Sequence, residues 1–108
     1  MKSNFKDNKI TLRTSPRSIL QIFSARSKEE RLRRGWRLQD LADRSGIKLG
    51  TLKHFEKTGE ISLERFLLIL SSMGRTLEIE SLLLPPEIQK IEEIDSSKRQ
   101  RGMRGGAP

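Results

Sequence analysis

Apolar positions in this chain fall into short stripes at helical spacing, and glycines separate the stripes. Ile19, Leu20, Ile22 and Phe23 form the first, which fades through R-S-K-E-E-R until Leu32. Ser15-Pro16 ahead of it predicts a helix start: the serine caps free backbone N–H groups, and proline suits the first helical position. Gly35 should end that helix, with Trp36 as a core anchor just after it. A second helix is expected over residues 38–45 and a third over residues 49–57, ended by Thr58-Gly59. Ser62 caps a fourth, whose Leu63, Phe66, Leu67, Leu70 and Met73 follow the 3.6-residue period until Gly74. Thr76 opens an expected fifth, with Ile79, Leu82 and Leu83 on one face, although L-E-I-E also alternates like a strand.

The stretch L-Q-D-L-A-D-R-S-G-I-K-L-G-T-L-K-H-F-E, residues 38–56, has the shape of a helix-turn-helix. Leu41, Ile47, Leu52 and Phe55 are spaced to close one apolar cluster. Two short helices meeting at a steep angle need a small side chain at the crossing, which Ala42 supplies. They also need a residue tolerant of positive φ at the turn, which Gly46 supplies. The outer face of the second helix carries Lys48, Lys53, His54 and Lys57, as a helix in the DNA major groove should. Lys48, Leu49, Gly50, Lys53 and His54 are therefore expected to face the groove. Lysine donates to guanine O6/N7, His54 donates or accepts at a base edge or phosphate, and Leu49 meets a thymine methyl. Gly50 admits close backbone approach. Thr51 and Lys57 are better placed for phosphates, and Arg37, Gln39 and Arg44 join them as DNA-binding candidates. The competing reading of Lys53, His54 and Lys57 is a solvated helix face.

Charge sharpens this picture. Residues 1–57 carry +9, residues 58–97 carry −5 and residues 98–108 carry +4, within a formal net charge of +8. A basic N-terminal half containing the motif, followed by an acidic segment, fits a DNA face and a separate protein-facing part. Leu68 and Ile69 fall off the main stripe, as do some residues of the run Leu82, Leu83 and Leu84, and these side chains are expected to form a dimeric or heteromeric interface. A chain of 108 residues holds a thin core, so dimerisation is also expected on burial grounds.

The expected organisation is a basic arm over residues 1–14, a DNA-binding domain over 15–84, a short helix or linker over 85–95 and a disordered basic tail over 96–108. In the arm, Ile10 and Leu12 alternate with polar neighbours, so a short strand or docked arm is possible there. The tail suits DNA, RNA or an acidic partner without selectivity. Absence of cysteine excludes disulfides and thiolate metal sites and suits the cytoplasm. No run approaches a membrane span of ~20 apolar residues. His54 is the sole histidine, no Gly-rich phosphate loop occurs, and no paired carboxylates are arranged for acid/base work. Neither enzyme activity, metal nor cofactor is expected.

The run R-L-R-R-G-W-R-L-Q-D-L-A-D-R-S-G-I-K-L-G-T-L-K-H-F-E-K-T-G, residues 31–59, resembles the Xre/Cro family of helix-turn-helix regulators. Ser15-Pro16, E-R-L-R-R-G-W, T-L-K-H-F-E-K-T-G-E-I-S-L and the basic tail resemble the small HipB-type proteins paired with HipA-like kinase toxins, including the three-component version. The resemblance implies an all-α, five-helix, lambda-repressor-like domain with a flexible basic arm and tail. It further implies a homodimer on inverted-repeat double-stranded operator DNA, autorepression of a toxin–antitoxin operon, and a complex with a HipA-like kinase toxin and a small accessory antitoxin subunit. A bacterial cytoplasmic location, on the nucleoid when DNA is bound, follows. It also implies a structural salt bridge between Arg31 and Glu56. A free-standing regulator and a protein adaptor without DNA binding are the alternatives.

Three positions depart from the family pattern. Leu38 stands where a polar residue usually opens the second helix, so either Arg37 or Gln39 makes that phosphate contact or the contact is lost. Lys48 replaces the usual Ser/Thr cap of the third helix, forfeiting ~1 kcal/mol, and its charge opposes the helix dipole unless phosphate binds. Ser27 and Glu30 occupy first-helix positions that are often apolar, which predicts looser packing there.

Overall fold

The fold, a computed structural model, is described for residues 9–88. The described chain is all-α: α1 Pro16–Arg33, α2 Leu38–Ser45, α3 Leu49–Thr58, α4 Leu63–Ser72 and a 3₁₀ turn Thr76–Ile79. Its described residues divide into two units, 9–76 and 77–88. Ahead of α1, residues 9–14 form no strand; Thr11–Thr14 close a turn, and Leu12 is fully exposed.

Local chemistry sets the helix limits. The Ser15 hydroxyl accepts the Ser18 N–H at 3.1 Å, and Pro16 takes the first helical position. Ser62 caps α4 in the same way, through the Arg65 N–H at 3.1 Å. At α2 the cap residue is Arg37, whose guanidinium cannot accept a hydrogen bond. Only the return half of a capping box forms there: the Asp40 carboxylate accepts the Arg37 backbone N–H at 2.7 Å.

In the first unit the core is Leu41, Ala42, Ile47, Leu52, Phe55, Ile69 and Met73, from α2, α3, α4, the cap that ends α4 and the turn between α2 and α3. Phe66 sits against Phe55 edge-to-face at 6.3 Å and stacks on Phe23 of α1 at 5.4 Å. Helix α1 packs on α3, and α2 packs on both α3 and α4. The buried residues of α1 are Ser24, Ser27, Glu30 and Arg31, which continue the face begun by Ile19 and Phe23. The apolar stripe fades because polar side chains take over the same buried face.

Two expectations require correction. Ile69 is not part of an outer patch: it is 1% exposed and central to the core, while Leu68 is 41% exposed. The inner face of α4 is Phe66, Ile69, Leu70 and Met73, the full i, i+3, i+4, i+7 set, and Leu63 lies outside it at 73% exposure. The region after Gly74 forms the expected fifth helix as a short 3₁₀ helix, Thr76–Ile79, which stops before Leu82 and Leu83, and it forms no strand. A single 3₁₀ turn gives way to further turns, and Leu83 takes φ +65, which a helix would not tolerate. Around Glu30 the carboxylate is held by the guanidiniums of Arg33, Arg34 and Arg75, while the buried Ser27 hydroxyl finds no hydrogen-bond partner among the described residues. In the second unit Leu82 and Leu83 are exposed and Leu84 is half-buried. Pro86–Ile88 is helical, but most of the expected terminal helix and the whole basic tail lie outside the described residues, as do residues 1–8.

Candidate nucleic-acid interface

The turn between α2 and α3 is fixed from inside. Gly46 adopts φ +78 and its N–H closes on the Ala42 carbonyl at 2.9 Å. Such a left-handed end suits glycine. One residue on, Ile47 is buried, and its N–H bonds the Ser45 hydroxyl at 3.2 Å. The chain then turns outward at Lys48 and enters α3. Lys48 is extended and makes no side-chain cap, so the first N–H groups of α3 keep no cap from it.

Helix α3 is divided cleanly. Leu49, Leu52 and Phe55 point inward, with Leu52 and Phe55 fully buried. Gly50, Lys53, His54 and Lys57, again spaced i, i+3, i+4, i+7, form one exposed ridge. A β-carbon at Gly50 would meet nothing within 4 Å, so backbone is bare at the start of the ridge. Leu49 is half-buried against the core, and only its remaining exposed part could meet a thymine methyl. Thr51 is half-buried at the edge of the ridge.

The flanking residues on α2 are exposed but engaged. Arg37 reaches the Asp40 carboxylate through Nη2 at 3.1 Å and Nε at 3.3 Å. That hydrogen bond, together with the Arg37 backbone N–H, holds the Asp40 carboxyl below its ordinary range and raises the Arg37 guanidinium above its own. Gln39 Nε2 donates to Asp43 at 2.9 Å. A phosphate contact from either residue must therefore exchange with a carboxylate. Arg44 lies over the Trp36 ring at 4.3 Å, with Arg34 at 5.2 Å from the same ring. Stacking orients Arg44 without neutralising it.

Behind the ridge, Arg31 and Glu56 lock α1 to α3. Nε–Oε2 is 2.9 Å and Nη2–Oε1 is 3.0 Å, while Nη1 donates to the Trp36 carbonyl at 2.9 Å. The two side chains are only 9% and 11% exposed. This forked geometry fixes the axial rotation of α3, and therefore which of its residues face outward.

Glu60 is the residue that sequence reasoning did not single out. Its carboxylate meets His54 Nε2 at 2.9 Å through one oxygen and Arg17 at 3.7 Å through the other. The His54 hydrogen bond above all, with Arg17 adding to it, holds the Glu60 carboxyl below its ordinary range. Thr58-Gly59 was the available signal, because a left-handed glycine after a helix folds the next residue back over it. Gly59 has φ +88, and a β-carbon there would come within 3.0 Å of the Leu20 backbone.

A left-handed turn bracketed by two short helices, the second bearing a bare basic ridge, defines a DNA-binding helix-turn-helix domain. Residues 28–79 match the helix-turn-helix family model, so the chain carries an Xre-type helix-turn-helix domain over that span. No curated protein and no solved structure gives a significant match. Among the described residues, no cluster of potential metal ligands occurs, and no helix is long and apolar enough to cross a membrane.

Proposed function

We propose that the protein is a sequence-specific repressor that binds inverted-repeat operator DNA as a homodimer and represses its own operon. The observation that carries the reading is the exposed ridge of Gly50, Lys53, His54 and Lys57, set on a helix whose other face is locked into the core. Lys53 and His54 read base edges, while Lys57, Arg44 and the open start of α3 hold phosphates. In a two-fold dimer the α3 helices enter successive major grooves about 34 Å apart, and bound protein blocks the promoter. Binding to the upstream DNA of its own gene, compared with a scrambled duplex of equal length at near-physiological salt, tests this. A preference of ~10³-fold or more is expected. Equal, salt-sensitive binding would leave a nonspecific basic domain and bring the adaptor alternative forward.

On the resemblance to HipB-type proteins, the repressor acts within a toxin–antitoxin system and complexes a HipA-like kinase and a small accessory antitoxin subunit. Leu68 on α4, and Leu82 and Leu83 in the second unit, supply exposed apolar surface for self-association or partner binding. Leu68→Glu should weaken one of these; unchanged mass by light scattering together with unchanged co-purification of the kinase would remove Leu68 from any interface. A neighbouring gene of another kind would favour a free-standing regulator.

A further inference from the structure

Glu60 is an anion on the edge of a ridge that is otherwise cationic, and its position is built rather than incidental. The Thr58 hydroxyl donates to the His54 carbonyl at 2.8 Å and accepts the Glu60 N–H at 3.1 Å. Gly59 makes the left-handed turn on the backbone of α1, where only glycine fits without strain. Together they return the chain over the end of α3 and deliver the carboxylate to His54, six residues back. A loop tie to α1 would need only the Arg17 contact; the shorter contact is the one to His54.

An ionised carboxylate only accepts hydrogen bonds, so His54 Nε2 must be the donor. In the neutral ring the other nitrogen, Nδ1, then carries a lone pair. Nδ1 makes no hydrogen bond among the described residues, and the His54 side chain is 56% exposed. Resting on the DNA-binding reading above, we infer that Glu60 is a positioning residue that sets what His54 reads: it holds the ring by Nε2 and presents Nδ1 to the groove as an acceptor. In the major groove the complementary bases are those with an exocyclic amino donor, adenine N6 or cytosine N4; guanine and thymine offer no donor there. Lys53, preceding His54 on the same ridge, has the opposite chemistry and selects guanine. The half-site therefore contains a guanine and, at the His54 position, an adenine or cytosine.

The price of this arrangement is a negative charge close to phosphates, which gives the proposal a signature that a structural role lacks. The test selects binding sites from duplexes with a randomised centre, using wild type, His54→Ala, Glu60→Ala and Glu60→Gln, with affinity for a nonspecific duplex measured alongside. Wild type should select adenine or cytosine at a position that His54→Ala leaves unselected, by roughly 5- to 100-fold. Glu60→Ala should lose discrimination at that position alone while binding the nonspecific duplex more tightly. Glu60→Gln, whose amide oxygen still accepts from Nε2–H, should bind nonspecific DNA more tightly yet keep the discrimination. Thermal melting of each variant separates these effects from a folding defect, and Glu60→Gln keeps the test open if Glu60→Ala unfolds. The inference is overturned if Glu60→Ala selects the same bases as strongly as wild type, or if the base lost in His54→Ala is guanine or thymine. A wild type that selects no site at all would instead overturn the DNA-reading proposal itself.

Discussion

Helices α2, α3 and α4 meet through Leu41, Leu52, Phe55 and Ile69, whereas the inner face of α1 presents Ser24, Ser27, Glu30 and Arg31. Both surfaces are buried, yet they hold in different ways. Apolar contact is non-directional and tolerates adjustment, so it brings α2, α3 and α4 together without fixing rotation closely. The forked Arg31–Glu56 pair is directional, and so is the grip of Arg33, Arg34 and Arg75 on Glu30. The apolar side supplies most of the adhesion. The polar side sets the rotation of α3 on which any DNA contact depends. Buried charge of this kind is weak evidence of net stability, but it is costly to leave half-made.

The sharpest way to break the comparison is to remove one partner of the polar lock. Arg31→Ala should cost about 3–5 kcal/mol, because it strands a buried Glu56 carboxylate. Replacing both partners, Arg31→Met with Glu56→Leu, should recover much of that loss in a denaturant titration while still impairing DNA binding. Full recovery of both would show that the lock orients nothing. Gly59→Ala comes next, at about 1–3 kcal/mol for a non-glycine residue in the left-handed region. The 3.0 Å approach to Leu20 adds to that, because backbone has little room to yield.

A smaller effect should appear in acid at Glu30. Its carboxyl lies below the ordinary carboxylate range, chiefly through the Arg34 hydrogen bond and then through Arg33 and Arg75, with burial opposing. The depressed folded value means that the ion pair stabilises the fold above the ordinary range. That stability is lost as pH falls through the lowered value. Glu30→Gln should therefore be less stable than wild type near neutrality and converge with it in acid; parallel stability–pH curves would contradict this. Smallest of all, Lys57→Ala should leave stability within about 0.5 kcal/mol, as befits an exposed position outside both surfaces.

The same contrast decides what could be read from the sequence. The apolar side was legible: Ala42, Gly46, Ile47, Leu52 and Phe55 follow from spacing and turn chemistry, and so do the helix limits at Ser15, Gly35, Gly59 and Ser62. In α4 the run F-L-L-I-L-S-S-M offers several overlapping stripes, and choosing the wrong one put Ile69 outside. Only tertiary packing, against α2 and against the rings of Phe23 and Phe55, selects Phe66, Ile69, Leu70 and Met73. The polar side was less legible, because an ion pair between residues far apart leaves no period. Arg31–Glu56 came from family resemblance, while the Glu30 cluster and the Trp36 stack between Arg34 and Arg44 did not come at all. Glu60 stayed hidden for a related reason: its place over His54 depends on the Gly59 turn, not on helical spacing. The exposed ridge of Gly50, Lys53, His54 and Lys57 was legible from helical spacing, while the packing of Leu49 partly against the core was not.

The central claim is that the outer face of α3 reads DNA while its inner face is held rigid. The most direct measurement is the affinity of Lys53→Ala with His54→Ala for the protein's own upstream DNA and for a scrambled duplex, beside wild type. Specific binding should fall much more than nonspecific binding, with thermal stability unchanged. Equal losses on both duplexes would mean that these side chains contribute charge alone and that α3 is not the reading helix.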